Sequence, residues 1–557
     1  MSTVDTTKST ARLGAPLFMA GSALLLISAF LSWSYDPKVM GDLTVYGNPA
    51  PVQYLAIILG AFGLLVGLVG RRVMWVNSAA AAQGLGYGAL GFAGLVILSI
   101  ALEAKGLINI DPGGWLALGG AILMAAGAHL MPVRPHTDPL RAKPNTWVEI
   151  LVIVGLLAIG LFTAAYALNI EDGGSLVVLL AAIAAIAAML SRSGFFAWLG
   201  VAAARNRQVL MLGAVAVAFA FPFTQHGSDA NMSIATQVLI FATTALGLNI
   251  VVGLAGLLDL GYIAFLGAGA YVAAMLSGAA SATIGWKPPF LLVMIIAACT
   301  SATLGLIIGS PTLRVSGDYL AIVTLAFGEI FRITMNNLDG SNGPDLTHGP
   351  NGIAGLPELH IGSFNFGHAH QLFGFTITRY ANYYFLLLVL AAFVITVFTR
   401  LNNSRIGRGW IAIREDERAA EAMGVNVFGL KLFAFAGGAF LAGLAGTIKA
   451  HQDLAVSPDQ YVFLESAFLV AAIVLGGMGT VAGVLVGATI LKLLPEKLRF
   501  LSDYRLLMFG LLLVVMMRFR PEGLVPNKRR ALEFHEEDEH LAERIEDIHI
   551  EEVEARA

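Results

Sequence analysis

Long apolar stretches, separated by short polar connections, dominate this chain from Leu13 almost to its end. A helix needs roughly 20 apolar residues to cross a bilayer. In the first part such stretches lie near Leu13 to Trp33, Val52 to Gly70, Ala79 to Leu102, Trp115 to Met131, Val148 to Leu168 and Ser175 to Leu190. They recur near Val209 to Phe223, Ser233 to Val252, Gly261 to Ser277, Phe290 to Ile308, Tyr319 to Met335 and Tyr383 to Phe398. Leu432 to Ile448, Phe463 to Gly476, Val481 to Leu494 and Leu506 to Met517 complete the set. Hydrophobic residues make up 57% of 557 positions and mean hydropathy is +0.76, more than a soluble core can absorb, so the surplus faces lipid. The expected fold class is therefore all-α: a polytopic transmembrane helical bundle of about sixteen spans, with the short, glycine-rich segments read as broken or re-entrant helices.

The small net charge, −3, and the lack of a basic stripe argue against nucleic acid as a partner and leave membrane lipid. The lone cysteine, Cys299, excludes an internal disulfide and is read as a packing residue. Lys8 and Arg12 precede an apolar stretch too long for a cleaved signal, which is read as a retained first span.

Basic residues set the orientation, because cytoplasmic loops are enriched in Lys and Arg. Starting inside, the alternation places Arg71 and Arg72, then Arg134, Arg141 and Lys143, then Arg192, Arg205 and Arg207 in cytoplasmic connections. Arg314, the stretch from Arg400 to Lys431, and Arg518, Arg520 and Lys528 to Arg530 follow the same side. Both termini are expected in the cytoplasm. Three regions follow: 1–207 with about six spans, 208–528 with charged and glycine-rich features in its spans, and an acidic tail over 529–557.

No GxxxxGK[ST], HExxH or GxSxG motif occurs, so the chain is expected neither to hydrolyse nucleotide nor to be an enzyme. Charges at membrane depth carry an insertion penalty of about 2.5 kcal/mol or more and each needs a reason. Glu329 stands three residues before Arg332, close enough to share a helix face. Asp259 falls where one apolar stretch breaks and the next begins, which favours a capped helix terminus or a cytoplasmic turn. Glu465 sits near the outer end of its span. Glycine clusters at Gly267 to Tyr271, Gly437 to Gly446 and Gly476 to Gly479 suit close helix packing, the last also a tight turn. Ser341 to Pro357 is too rich in Gly, Pro and Asn for a regular helix and is read as an outside loop or gate. His348, His360, His368 and His370 lack coherent ligand spacing, so no metal site is expected.

Six motifs, in order, carry a resemblance: "NIVVGLAGLLDLGYIAF" (Asn249 to Phe265), "SGDYLAIVTLAFGEIFRI" (Ser316 to Ile333), "GPNGI" (Gly349 to Ile353), "IREDERAAEAMGV" (Ile413 to Val425), "ESAFLVAAIVLGGMGT" (Glu465 to Thr480) and "RPEGLVP" (Arg520 to Pro526). Over about Val209 to Lys528 the chain resembles the inner-membrane permease of branched-chain amino acid ABC importers. The resemblance implies a multi-pass protein of the cell inner membrane that takes up leucine, isoleucine and valine, or urea and short amides. Its implied partners are a second homologous permease, two ATP-binding cassette subunits that carry ATP and Mg, and an extracytoplasmic solute-binding protein. No cofactor is implied on this chain itself.

The same resemblance implies a coupling loop over 404–428, where an Ala-rich helix ending in glycine docks on the ATPase. Its residues are Arg414, Glu415, Asp416, Glu417, Arg418, Ala419, Ala420, Glu421 and Gly424. Aligned on Gly424, the glutamate usual in the E-A-A-x-x-x-G pattern is replaced by Arg418, with Glu417 and Glu421 flanking it. Asp259, Tyr262, Thr324, Glu329, Asn351 and Gly352 are the candidates for the substrate pathway. An ion-coupled secondary transporter using Glu329 or Asp259 is the competing reading, and a non-transporting scaffold a third.

Overall fold

The computed structural model describes residues 3–36, 39–46, 49–69, 77–131, 145–225, 227–279, 282, 284–312, 318–341, 344–362, 364–372 and 374–497, with scattered residues between 504 and 525. Arg71, Arg72, Arg134, Arg141, Lys143, Arg314, Ser316, Arg520, Lys528 to Arg530 and the acidic tail lie outside the described residues.

Two compact units emerge, Met1–Gly227 with Glu496–Ser502, and Ser228–Pro495 with Asp503–Ala557. Residues 208–227, grouped by sequence with the second region, belong by contact to the first unit. This unit contains α1 (Thr3–Ser28), α2 (Pro51–Val69), α3 (Ser78–Glu103), α4 (Pro112–Leu130), α5 (Thr146–Asn169), α6 (Gly173–Ser193), α7 (Phe195–Arg205) and α8 (Arg207–Ala220). Helix α1 packs on α4, α3 lies against α4 and α6, and α5 meets α8. The unit is not wholly bland. Glu149 in the first turn of α5 is buried and accepts hydrogen bonds from Arg205 Nη1 at 2.7 Å and Asn206 Nδ2 at 2.8 Å. Pairing of this kind keeps a carboxylate tolerable away from water.

The second unit begins with α9 (Asp229–Asn249), which runs into a π-helical turn at Ile250–Leu254 before the chain leaves the helix. After the break come α10 (Ile263–Leu276), α11 (Phe290–Thr312) and α12 (Asp318–Asn337). Five short strands follow, β1 (Ile353–Ala354), β2 (His360–Ile361), β3 (Phe364–Asn365), β4 (His370–Leu372) and β5 (Phe375–Ile377). Then come α13 (Arg379–Asn402), α14 (Arg405–Glu415), α15 (Glu417–Ala422) and α16 (Val427–Asp453). Strand β6 (Ala455–Val456), α17 (Phe463–Gly476) and α18 (Val481–Lys497) complete the order. β6 returns antiparallel to β1, pairing Ile353 with Val456.

Among the described residues twelve helices are long and apolar enough to cross a membrane, all at expected positions. The other four expected segments are the short apolar helices Leu13–Ser28 and Ile263–Leu276, the 17-residue α18, and a stretch near 506–517 seen only in scattered residues. Helix α7, read from sequence as part of a basic linker, is a further short apolar helix. Cys299, expected to pack, is exposed on α11.

Helix α16 is the centre of the second unit and contacts α9, α10, α11, α13 and α14. Helices in lipid lack a hydrophobic drive to associate with one another and rely on close van der Waals packing. Small residues on α16 supply it: a Cβ on Gly446 would lie 2.1 Å from the Leu266 carbonyl oxygen of α10. The buried run Leu441 to Ile448 follows from that contact. Gly446→Val should therefore lower stability by about 1–3 kcal/mol through overpacking, whereas Gly437→Ala, into open space within α16, should keep stability or raise it by up to about 1 kcal/mol; thermal unfolding of the detergent-solubilised variants checks both.

Candidate functional site

The charged segment forms an elbow of two helices, α14 and α15, hinged at Asp416 in extended conformation. Polar caps hold each end. Ser404 accepts from the Gly407 amide to start α14, and Asp416 Oδ1 accepts from the Ala419 amide at 2.9 Å to start α15. The arc closes at Gly424, whose φ of +83° is left-handed and strained for any other residue type at a helix end. Asn426 then caps α16 by accepting from the Gly429 amide.

Three contacts fix the elbow to the bundle. Trp410 is fully buried, donates its Nε1–H to the Leu430 carbonyl at 2.7 Å and stacks on Phe433. Lys431, with its side chain 6% exposed, pairs with Glu417 at 2.6 Å. Arg414 pairs with Glu415 at 2.6 Å and donates from Nη1 to the Gly253 carbonyl at 3.0 Å. That carbonyl belongs to the π-turn of α9, where the altered backbone hydrogen bonding leaves it open to a side-chain donor. Of the expected coupling residues, only Ala420 is buried beneath α15. Arg418, Ala419, Glu421 and Gly424 are exposed, and so is Met423, at 84%. The side chain of Arg418, standing in the place of the usual glutamate, makes no hydrogen bond or ion pair among the described residues. Glu417 and Asp416 are instead committed to internal contacts.

The structure brings Asp259, Tyr262 and Thr324 together just beyond the π-turn and places Glu329, Asn351 and Gly352 elsewhere. Asp259 is buried; its Oδ1 accepts from the Gly261 amide at 2.9 Å and its Oδ2 has no partner among the described residues. Thr324 Oγ1 accepts from the Leu260 amide at 3.1 Å. Tyr262 donates to the Gly438 carbonyl of α16 at 2.6 Å. The chain crosses α12 so closely that a Cβ on Gly261 would sit 1.9 Å from the Thr324 carbonyl oxygen. Glu329 lies further along α12, half-exposed and bound to Arg332 at 2.5 Å. Arg332 also reaches Asp459 at 3.7 Å. Asn351 and Gly352 form a 3₁₀ turn and its end at the far end of α12, where Thr347 donates to the Met335 carbonyl. Thr324 and Met335 are about 16 Å apart along the helix at 1.5 Å per residue.

Sequence reasoning missed three members of this arrangement. Asn249, fully buried, accepts from the Gly479 amide at 2.9 Å and so pins the turn between α17 and α18 to the end of α9. Arg379 pairs with Glu358 at 2.8 Å and donates to the His451 and Gln452 carbonyls at the end of α16. Lys492 pairs with Glu465 at 2.8 Å, so that acid turns into a cavity where sequence suggested the bilayer interface. The loop histidines take local partners: His348 Asp345, His368 Asn365, and His370 the face of Phe364.

A polytopic helical bundle carrying an exposed, rigidly capped elbow on a broken helix has the form of a membrane transport subunit. Residues 231–517 match the family described as branched-chain amino acid transport system / permease component. The high-affinity branched-chain amino acid transport system permease protein LivM of Salmonella typhimurium is 37% identical over 341 residues, covering 59% of this chain and 77% of the relative. LivM of Escherichia coli is likewise 37% identical over 341 residues, with the same shares. The E. coli permease LivH is 27% identical over 295 residues, 51% of this chain and 91% of the relative. No solved structure matches. The chain belongs to the branched-chain amino acid permease family.

Asp259→Ala should lower stability by about 1–3 kcal/mol by stranding the buried Gly261 amide, while Asp259→Asn keeps an acceptor and most of that stability; unfolding midpoints of the two variants separate capping from a charge requirement.

Proposed function

We propose that this chain is the membrane permease of an ATP-driven importer that takes up leucine, isoleucine and valine across the inner membrane. It works beside a second homologous permease, with two ATP-binding cassette subunits supplying ATP and Mg and an extracytoplasmic binding protein delivering solute. The elbow carries the reading. A short helix with Ala420 turned inward, Arg418 and Ala419 exposed, and Met423 exposed at its end, held rigid by caps and by Lys431, is a surface built for docking another protein. In this reading the elbow and both termini face the cytoplasm, in keeping with the placement of the basic loops.

Movement of α15 under the ATPase has two routes into the bundle. Through Glu417 and Lys431 it reaches the start of α16, and through Arg414 it reaches the π-turn of α9. Beyond that turn lies the crossing of Asp259, Tyr262 and Thr324, the point at which rocking of packed helices would open a path alternately to each side.

The test is uptake of L-leucine into proteoliposomes holding the assembled subunits. Arg418→Ala, at an exposed position whose side chain has no partner among the described residues, should cut ATP-dependent uptake at least tenfold while leaving the unfolding midpoint unchanged. Uptake that ignores ATP and collapses with the proton gradient would overturn the importer reading. Movement of urea but not leucine would overturn the substrate assignment.

A further inference from the structure

A cavity of about 270 Å³ opens among α9, α10, α16, α17 and α18. It lies at the opposite end of α16 from the elbow, since Lys431 and Lys449 are about 27 Å apart at 1.5 Å per residue. Two pairs of opposite charge line it. Lys492 Nζ donates to Glu465 Oε2 at 2.8 Å and also stands 4.6 Å from the centre of the Phe241 ring. Lys449 pairs with Asp453 and donates to Gln460 Oε1 at 3.1 Å. The remaining wall is mixed, with Gln237 and Thr244 beside the apolar side chains of Ile240, Ile263, Leu266 and Leu469.

Four charges on the flanks of membrane-type helices carry a high solvation penalty and mark a functional surface. Their sum is zero, so an isolated anion or cation would meet repulsion as well as attraction. Neither pair is saturated: an ammonium has three donors and a carboxylate two oxygens, and Lys492 spends one N–H on one oxygen of Glu465. A ligand with a cationic and an anionic group a few ångströms apart can join both residues without adding net charge. The volume falls just under the roughly 300 Å³ lower end of small-molecule pockets, which suits a small solute. Phe241, Ile263 and Leu469 offer its side chain an apolar wall. Urea has no charge to set against these pairs.

We infer that this cavity binds the zwitterionic head of an aliphatic α-amino acid, its carboxylate on Lys492 and its ammonium on Glu465, with the side chain against Phe241 and Leu469. The inference rests on the importer reading for its physiological role, but its chemistry can be tested separately. Equilibrium binding of tritiated L-leucine to the full-length chain in nanodiscs is competed with isocaproate, which lacks the ammonium, and leucinamide, which lacks the carboxylate. Both should compete at least tenfold more weakly than L-leucine. Glu465→Gln and Lys492→Gln should each weaken L-leucine binding at least tenfold. The double variant Glu465→Lys with Lys492→Glu restores the ion pair and should recover thermal stability without recovering binding. Absence of L-leucine binding, equal competition by either analogue, unchanged affinity in the single variants, or full recovery in the reversed pair would overturn the site. ATP-driven leucine uptake that is unchanged in Glu465→Gln and Lys492→Gln would remove the site and leave the importer standing. Zwitterion-selective binding in an assembly that moves no solute with ATP would do the reverse.

Discussion

Close backbone contact along α16 is the constraint on which the second unit depends. Lipid chains are as apolar as leucine, so the helices gain little by hiding oily side chains from the bilayer. What holds them is fit, and fit is set where Gly446 meets α10 and where Gly438 accepts the Tyr262 hydroxyl. With those contacts in place, bulky aromatics such as Tyr262 and Phe435 can be fully buried around the helix.

Polar chemistry is displaced to the two ends of that packed column. At one end Lys431 and Asn426 tie the elbow to the bundle; at the other Arg379 satisfies the closing carbonyls, and Lys449 enters the charged cavity. Buried polar groups between the ends are mostly absorbed by hydrogen bonds to backbone, as Ser301 and Thr447 show. The Asp259 oxygen that has no partner among the described residues is an exception, and it lies where α9 has already broken.

Much of the fold was legible because length and hydropathy decide whether a segment can be a membrane helix. The elbow was legible as a charged interruption with alanines and a glycine, and its residues span the end of α14, the hinge at Asp416 and the short helix α15. The ion partners were not legible. Lys431 stands fourteen residues beyond Glu417, and Lys492 twenty-seven beyond Glu465; no local periodicity links residues that far apart. Glu465 accordingly looked like an interfacial acid until α18 supplied its lysine. Asn351 and Gly352 looked like companions of Asp259, yet about half the length of α12 separates them. Helix α7 went unseen because Arg192, Arg205 and Arg207 gave its neighbourhood the look of a basic linker. The π-turn of α9 left no compositional trace, although it gives Arg414 its carbonyl.

Helix α16 runs through 27 residues with no proline and no break, a rod of about 40 Å at 1.5 Å per residue. Its tightest crossings fall near the middle and toward the cavity end. A rod gripped there behaves as a seesaw. A tilt of about 5° about its midpoint carries each tip nearly 2 Å in opposite directions, enough to break a hydrogen bond at either end. The separation between the elbow and the cavity thus becomes mechanical advantage: a push too small to deform the bundle can still unseat a salt bridge at the far end of the rod.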